Sequence, residues 1–404
     1  MCYPKSGISE SAIDCKHPIL VFLYTIFQSL IWLAETDNSE PYMTAVCSRF
    51  PATLVISYQD VPTETISHFS CLVPRGVPPI TEMVLYMSGF HSQWDLGIHL
   101  AEAVNQLRHL TVLHISIKCI VDTSFLVDFV CECFAANDHV ETLWLEGPMN
   151  VAENLTPSEH KRVQRVFKGG DSSSSCSSSQ GGCGVKLKHL VLDHFSYHHR
   201  VGYLLNCWPD IFEQLHIRRS NLDNISERIN QKISRCRDLT TFRIDNSYVP
   251  CGTMLSICRH IRDNVQMSRL HTIELSVVSA GRKFSKSDVK KPSFVSSLSA
   301  DVCQVLAAVL TSSPSLQHLV LGYNGLADSK ARLILQAAAK STSLLTLDLT
   351  GNVITNDVED DVIQLLKAAP QMTSLLLADN VITAPTRSNV IKASLALHDL
   401  RLSL

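Results

Sequence analysis

Charged residues are scarce in this chain: Asp, Glu, Lys and Arg make up 18% of its 404 residues, against about 25% in an average globular protein. Basic residues are not in excess, because 35 Lys and Arg stand against 38 Asp and Glu, for a formal net charge of −3. A protein that binds nucleic acid by neutralising phosphates needs a clustered basic face. The composition therefore argues against a nucleic-acid partner, while the hydrophobic content of 45% can bury a large core.

The sequence also lacks the short motifs of common enzyme classes. It contains no GxSxG, no HExxH, no phosphate-binding loop and no Rossmann fingerprint. Cys131 and Cys133 have no partner pair at zinc-ribbon spacing. His194, His198 and His199 fall in a predicted loop and not at i and i+4 of a helix. We therefore expect a protein that is not an enzyme, with no catalytic residue, no cofactor and no metal site.

Cysteine is abundant, with 14 residues, but its distribution does not indicate a disulfide framework. The cysteines are scattered, and none follows Cys303. Several fall on predicted helices, where a thiol packs as a small apolar side chain. Free thiols favour a reducing compartment. We therefore expect a cytoplasmic location, with a secreted or membrane-anchored protein as the weaker alternative.

An internal repeat is clearest in the C-terminal part. The strings LQHLVLGYNGL, LLTLDLTGNVI and MTSLLLADNVI share the frame LxxLxLxxNxL at a spacing of 28 residues. The fourth and sixth places alternate as in a short strand, and the Asn at the ninth place can bond backbone groups of the adjacent coil. More degenerate copies precede these strings. The twelve frame starts are Pro51, Ile80, Leu110, Val140, Leu187, Phe212, Leu239, Leu270, Leu316, Leu344, Met372 and Leu397.

Between these strings the hydrophobic pattern changes its period. Residues 301–313, 328–341 and 357–370 carry apolar side chains at i, i+3, i+4 and i+7, which predicts amphipathic helices about three turns long. One strand and one helix cannot bury their apolar faces alone, so neighbouring repeats must stack. The sequence predicts an α/β solenoid of about twelve coils, a horseshoe with short parallel strands on the concave face and helices on the convex face.

The repeated frame resembles the leucine-rich repeat of the ribonuclease-inhibitor type, and it is similar to the repeat tails of NOD-like receptors. The resemblance is specific in the last three full repeats and weaker before Leu270, where other residues replace the Asn. It implies one leucine-rich-repeat domain over residues 51–404. It also implies an interaction scaffold or recognition module that binds a protein partner on the concave face.

Two insertions interrupt this domain, and a further segment precedes it. Residues 169–184 are rich in Ser and Gly, and we expect a disordered loop there. Residues 279–299 contain a basic stretch that we interpret as a solvated loop, with phosphorylation at Ser285 and Ser293 as the regulatory alternative. Residues 1–50 are expected to form a helical cap on the first coil.

The most apolar run of the chain lies in this N-terminal segment, at residues 19–34. A membrane span needs about 20 apolar residues, and this run is shorter. Thr25, Gln28 and Ser29 form one polar stripe on the predicted helix. We therefore favour a buried cap helix, keep a signal peptide or anchor as the alternative, and consider membrane association less favoured.

The same segment resembles an F-box, the three-helix adaptor that docks cullin-type ubiquitin ligases and often precedes leucine-rich repeats. Ile26, Phe27, Leu30 and residues 46–50 carry the resemblance. The Leu-Pro-x-Glu opening of an F-box is missing at residues 17–18. An F-box-like substrate receptor, with ubiquitin ligase components as partners, is therefore the alternative to an interaction scaffold.

Strand alternation locates a candidate partner surface. The third, fifth and seventh places of the frame face away from the core, and they carry large or charged residues mainly in the first eight repeats. Trp144 stands out as an expected exposed side chain, with cover by a neighbouring group as the alternative, because Trp, Tyr and Arg dominate interface hot spots. The predicted partner-binding residues are Tyr86, His114, Trp144, His216, Arg218, Arg243 and Asp245.

Overall fold

The structure is a computed structural model. Apart from a few single positions, it describes residues 50–57, 79–87, 94–117, 123–134, 139–147, 187–195, 212–264, 269–276, 298–395 and 400–404. Several predicted features lie outside these residues: nearly all of the segment 1–50, with its apolar run and its F-box-like residues, the Ser/Gly stretch 169–184, and most of the basic stretch 279–299.

Twelve short strands in the described residues form a single parallel sheet, and each strand pairs with the next one along the chain. They are β1 (Thr53–Ser57), β2 (Glu82–Met87), β3 (Val112–Ile117), β4 (Thr142–Glu146), β5 (His189–Asp193), β6 (Gln214–Arg218), β7 (Thr241–Asp245), β8 (Thr272–Ser276), β9 (His318–Val320), β10 (Thr346–Asp348), β11 (Ser374–Leu376) and β12 (Arg401–Ser403). A strand order that follows the sequence is the order of a solenoid. The predicted α/β solenoid of about twelve coils is therefore confirmed.

Helices connect many of these strands and pack against their neighbours in chain order. In the described residues they are α1 (Trp94–Gln106), α2 (Thr123–Cys133), α3 (Ser226–Arg235), α4 (Cys251–Asn264), α5 (Ala300–Ser312), α6 (Asp328–Ala338), α7 (Glu359–Ala368) and α8 (Ala384–Ser394). The helices predicted near residues 301, 328 and 357 are confirmed as α5, α6 and α7. Ser299 caps α5, because its side chain accepts from the N–H of Val302. Apolar residues of strands and helices form one continuous core.

The observed register agrees with every predicted frame start except the last. The third residue of each frame pairs with the third residue of the next, from β1 to β11. The start at Leu397 is wrong by two residues, because Leu375 pairs with Leu402 and not with Leu400. Leu400, Leu402 and Leu404 alternate along the chain, so a shift of two residues keeps the same face. The hydrophobic pattern alone does not distinguish the two registers.

Buried asparagines tie the last coils together. The Nδ2 group of Asn352 donates to the carbonyl oxygens of Leu349 at 2.8 Å and Leu321 at 3.1 Å. Its Oδ1 accepts from the N–H groups of Asn324 and Leu326, both at 3.0 Å. The asparagines of the two neighbouring coils make equivalent bonds. The chain leaves the sheet at this point, so the side chain satisfies buried backbone groups that no strand partner reaches.

Other residues fill the same ninth place in earlier coils. Ser247 donates its hydroxyl to the carbonyl of Asp245 at 2.8 Å and accepts from the N–H of Ser220 at 3.2 Å. The hydroxyl of Ser220 accepts in turn from the N–H of Phe195 at 3.1 Å. Phe195 and Val278, at the ninth place of their own repeats, are buried in the core. Ser220 and Ser247 therefore make some of the backbone hydrogen bonds that Asn makes in the last coils. Phe195 and Val278 make none through their side chains and instead pack into the core.

The eighth place of the frame adopts a left-handed backbone conformation from the fifth coil onwards, wherever it is described. The residues are His194, Arg219, Asn246, Tyr323, Gly351 and Asp379, with φ between 43° and 68°. In all of these coils but the last, the N–H at this place donates to the seventh residue of the following repeat. This hydrogen bond extends the parallel ladder by one residue, and the left-handed conformation then turns the chain out of the sheet. The frame does not predict it, because five of the six residues are not glycine.

We expect Asn352→Ala to lower the free energy of unfolding by about 3 kcal/mol, because several buried backbone groups lose their partner. Urea unfolding followed by circular dichroism measures the change. Asn264→Ala, at the exposed end of α4, is the matched control and should change stability by less than about 0.5 kcal/mol. Equal effects of the two substitutions would contradict the role of Asn352.

Gly351 and Gly252 form a second matched pair. Gly351 has a φ of +68°, and an added Cβ would lie 2.2 Å from two ring carbons of Tyr323. We expect Gly351→Ala to lower the free energy of unfolding by about 1–2 kcal/mol. Gly252 lies on α4 with nothing within 4 Å of an added Cβ, so Gly252→Ala should raise stability by up to about 1 kcal/mol. Thermal unfolding of both variants tests the opposite signs.

Candidate functional site

All seven predicted partner-binding residues lie on the side of the sheet that faces away from the helices. On β4 and β6 the second and fourth strand residues are buried, and the others are half-buried. The register places His114 beside Trp144 on neighbouring strands, and His216 beside Arg243. Arg218 pairs with Asp245 in the same way. We call the seven residues, together with Ser116, Glu146, Asp193, Arg219 and Glu274, the sheet-face patch.

Stacked side chains cover Trp144. Its ring lies 4.7 Å from the ring of His114, with 22° between the planes. The guanidinium carbon of Arg218 lies 5.3 Å from the Trp144 centroid, within the range of a cation–π contact. Tyr86 continues the row, with its ring 6.4 Å from that of His114. Trp144 is therefore half-buried: its neighbours on both sides of β4 cover part of the ring, so it lies between the expected exposed ring and the covered alternative.

Asp245 joins two side chains of the patch, His216 and Arg218. Its Oδ2 lies 2.8 Å from Nε2 of His216, and both of its oxygens accept from Nε of Arg218, at 3.1 and 3.3 Å. Burial raises the pKa of the Asp245 carboxyl, but the bonds from His216 and Arg218 outweigh burial and hold this pKa below its ordinary value. Asp245 is therefore ionised near neutral pH and fixes both partners on the sheet.

Arg219 forms a second ion-pair cluster that the sequence reasoning missed. It donates to both oxygens of Asp193, each at 2.6 Å, and to Glu146 at 3.0 Å. The bonds to Asp193 raise the pKa of the Arg219 guanidinium further above its usual value. Arg219 follows β6 at the left-handed position, so strand alternation did not select it. Glu146 and Asp193 lie at the seventh place of adjacent repeats. Two neighbouring acids at this place were the sequence signal that a basic residue should lie between them.

His114 is held in its neutral form. Its Nε2 lies 3.3 Å from Oε2 of Glu146. Burial lowers the pKa of the His114 imidazole below 6.5, although the carboxylates of Glu146, Asp193 and Glu82 act in the opposite direction. A neutral imidazole stacks on Trp144 without adding a charge to the patch. Burial therefore outweighs the acidic surroundings at this position.

Arg243 and Glu274 form the far end of the patch. Nε of Arg243 lies 3.4 Å from Oε2 of Glu274 on the next strand. The side chain of Arg243 is 42% exposed and that of Glu274 is 24% exposed. The predicted set included Arg243 but not Glu274.

Five thiols of the described residues lie on the other side of the sheet. Cys131, Cys133, Cys236, Cys258 and Cys303 are free and buried at the helices. Burial raises the pKa of Cys131, Cys236 and Cys303 to about 11 and that of Cys258 to about 12. Thiols with such pKa values stay protonated and pack as apolar groups, in the place where the sequence predicted apolar fillers.

The sheet register, the repeated frame and the asparagine bonds define an α/β solenoid of the leucine-rich-repeat type. No protein-family model matches the sequence, and no curated protein matches it. Among solved structures, an internalin from Listeria monocytogenes strain 4b F2365 is similar, with 12% identity and a TM-score of 0.40 over 90% of this chain and 88% of that chain. A protein from Bacteroides fragilis is also similar, with 10% identity and a TM-score of 0.32 over 81% of this chain and 65% of that chain. The fold assignment rests on the strands and bonds of this chain itself.

Within the part of the chain that the structure describes, no helix is long and apolar enough to cross a bilayer. The apolar run at residues 19–34 lies outside that part.

We expect the imidazole of His114 to titrate below pH 6.5, its ordinary value. Below that pH the unfolded chain binds more protons at this position than the folded chain does, so the stability that His114 contributes is present above pH 6.5 and is lost as the pH falls. NMR titration of the histidine resonances, assigned by comparison with His114→Gln, measures the midpoint. A midpoint above 6.5 would contradict the burial of His114 under Tyr86 and Trp144.

Proposed function

We propose that this chain is a recognition module that binds a protein partner through the sheet-face patch and performs no chemistry of its own. The stack of His114, Trp144 and Arg218 is the observation that carries the proposal. Tryptophan and arginine dominate the binding energy of protein interfaces. Here both are already held in one arrangement by stacking and by Asp245, so little side-chain entropy is lost on binding.

The ion pairs support binding over catalysis. Asp245, Asp193 and Glu146 are engaged by arginine or histidine side chains, which suits a fixed surface. The buried thiols are poor nucleophiles, because only the thiolate reacts and burial raises their pKa.

The same free thiols support a reducing, cytoplasmic location. The strand and helix of each C-terminal coil support the ribonuclease-inhibitor type of repeat.

Purification with a C-terminal tag and quantitative mass spectrometry tests the proposal. We expect Trp144→Ala to lower the recovery of specific partners at least about tenfold, the loss of one hot spot. Gln336→Ala, on α6 at the other side of the solenoid, should leave recovery unchanged. Circular dichroism checks that both variants are folded. Partners retained equally by both variants would count against the sheet-face patch.

The same purification addresses the F-box-like alternative. Its residues lie in the segment 1–50, almost all of it outside the described residues, so the proposed scaffold function does not depend on it. Recovery of cullin components by the full chain, and their loss on deletion of residues 1–50, would support a substrate receptor. N-glycans and membrane association would support the secreted or anchored alternative.

A further inference from the structure

Buried polar atoms without a hydrogen-bond partner concentrate on the sheet-face patch. In the described residues these side-chain atoms are Ser116 Oγ, Trp144 Nε1 and Asn230 Oδ1, together with His114 Nε2 and Arg243 Nε, which lie 3.3 and 3.4 Å from a carboxylate oxygen without forming a well-aligned hydrogen bond. All but the atom of Asn230 belong to the patch. A buried polar group without a partner destabilises a protein because it loses its hydrogen bonds to water, so native structures contain few of them. Their concentration here indicates groups that a bound partner completes.

The missing groups are acceptors. The indole N–H of Trp144 and the guanidinium of Arg243 can only donate, and the hydroxyl of Ser116 can donate as well. Ser116 is completely buried on β3, next to Glu146 in the sheet register. A partner that accepts hydrogen bonds from these donors must present oxygen atoms, from carboxylates or backbone carbonyls.

Two guanidinium groups are also incompletely used. Arg218 bonds Asp245 through Nε alone; in the described structure, neither of its Nη groups forms a hydrogen bond. Arg243 forms no hydrogen bond with any described residue, and its nearest carboxylate oxygen lies 3.4 Å from Nε. Arg218 and Arg243 come from the adjacent strands β6 and β7. The two Nη groups of an arginine form a fork that matches the two oxygens of a carboxylate.

The carboxylates of the patch are less exposed than the guanidinium groups. The side chain of Arg219 is 45% exposed over a fully buried Asp193, and Arg218 is 30% exposed against 13% for Asp245. Arg243 is likewise more exposed than its partner Glu274, at 42% against 24%. A partner that approaches the sheet therefore meets guanidinium groups first, and the acids beneath hold these groups in place.

Building on the proposed function, we propose that the partner segment bound by the sheet-face patch is acidic. Its carboxylates bind end-on to the Nη forks of Arg218 and Arg243, and its acceptors complete the buried donors around Trp144. The patch holds four carboxylates as well as three arginines, but the guanidinium group is the more exposed member of each pair, so a basic segment would meet like charges first. The amides of an Asn- or Gln-rich segment would offer one acceptor oxygen each and no negative charge to pair with the guanidinium groups.

A random peptide library displayed on phage, selected on the immobilised full chain, identifies the preferred segments. We expect Asp and Glu to be enriched in the selected peptides. The selected peptides are then synthesised with a fluorescent label, together with versions in which Asn and Gln replace Asp and Glu. Fluorescence anisotropy should show at least about tenfold weaker binding of the amide versions, the loss of one charge-assisted pair.

Variants of the protein locate the bound segment. Arg243→Gln removes a guanidinium that forms no hydrogen bond in the described structure, so it should fold normally and bind the acidic peptides about tenfold more weakly. Arg218→Lys keeps the charge but loses the fork, and it should also weaken binding. Arg269→Gln is the matched control, because Arg269 is 71% exposed and, among the described residues, pairs with Asp238 alone, outside the patch. Its binding should be unchanged.

The outcomes separate the two proposals. Selected peptides that are basic or uncharged, or a selection that yields no binder, would overturn the acidic segment. Peptides of any charge that lose binding to Trp144→Ala would still support the sheet-face patch as the binding surface. Peptides that bind all patch variants and the control equally would overturn both.

Discussion

Each coil can bury its apolar strand and helix only against the next coil, and the rest of the structure depends on this constraint. Parallel backbone pairing joins β1 to β12 in chain order. At the end of the strand, side chains such as Asn352 take over from the backbone and bond both their own coil and the previous one. A repeat that broke this pattern would expose backbone groups in the core. Ser220 and Ser247 show that a shorter hydroxyl side chain can meet the same requirement.

The register that this constraint fixes also builds the sheet-face patch. Residues at one place of the frame become neighbours across strands, so residues 25 to 47 positions apart in sequence lie side by side. Val191 separates Trp144 from His216 in this row. Arg218 crosses β5 and reaches the Trp144 ring. The patch thus depends on the alternation of large and small residues along a row, as much as on the large residues themselves.

The fold could be predicted from the sequence because its signal is repeated twelve times. A frame with apolar fourth and sixth places fixes both the strand and its register. The last strand shows the limit: alternating leucines at 400, 402 and 404 satisfy two registers equally. At the patch, strand alternation selected residues on the correct face, such as His114 and Arg243. It did not predict how they pair.

Arg219 and Trp144 illustrate why the pairing was not predicted. Arg219 lies beyond the strand, and only its left-handed backbone places it at the edge of the sheet. The burial of Trp144 depends on the directions that two long side chains take from other strands. Neither property is contained in the period of the sequence. Both follow from side-chain packing across coils that are distant in sequence.

The strictly sequential strand order has a mechanical consequence. When the two ends of such a sheet are pulled apart, every coil bears the same load, and a terminal coil yields first because it has a neighbouring strand on one side only. Coils then detach one after another, each releasing a length of chain set by its own repeat. Extension therefore proceeds in small steps and not in one rupture, and the protein behaves as a spring whose inner coils stay folded while its ends yield.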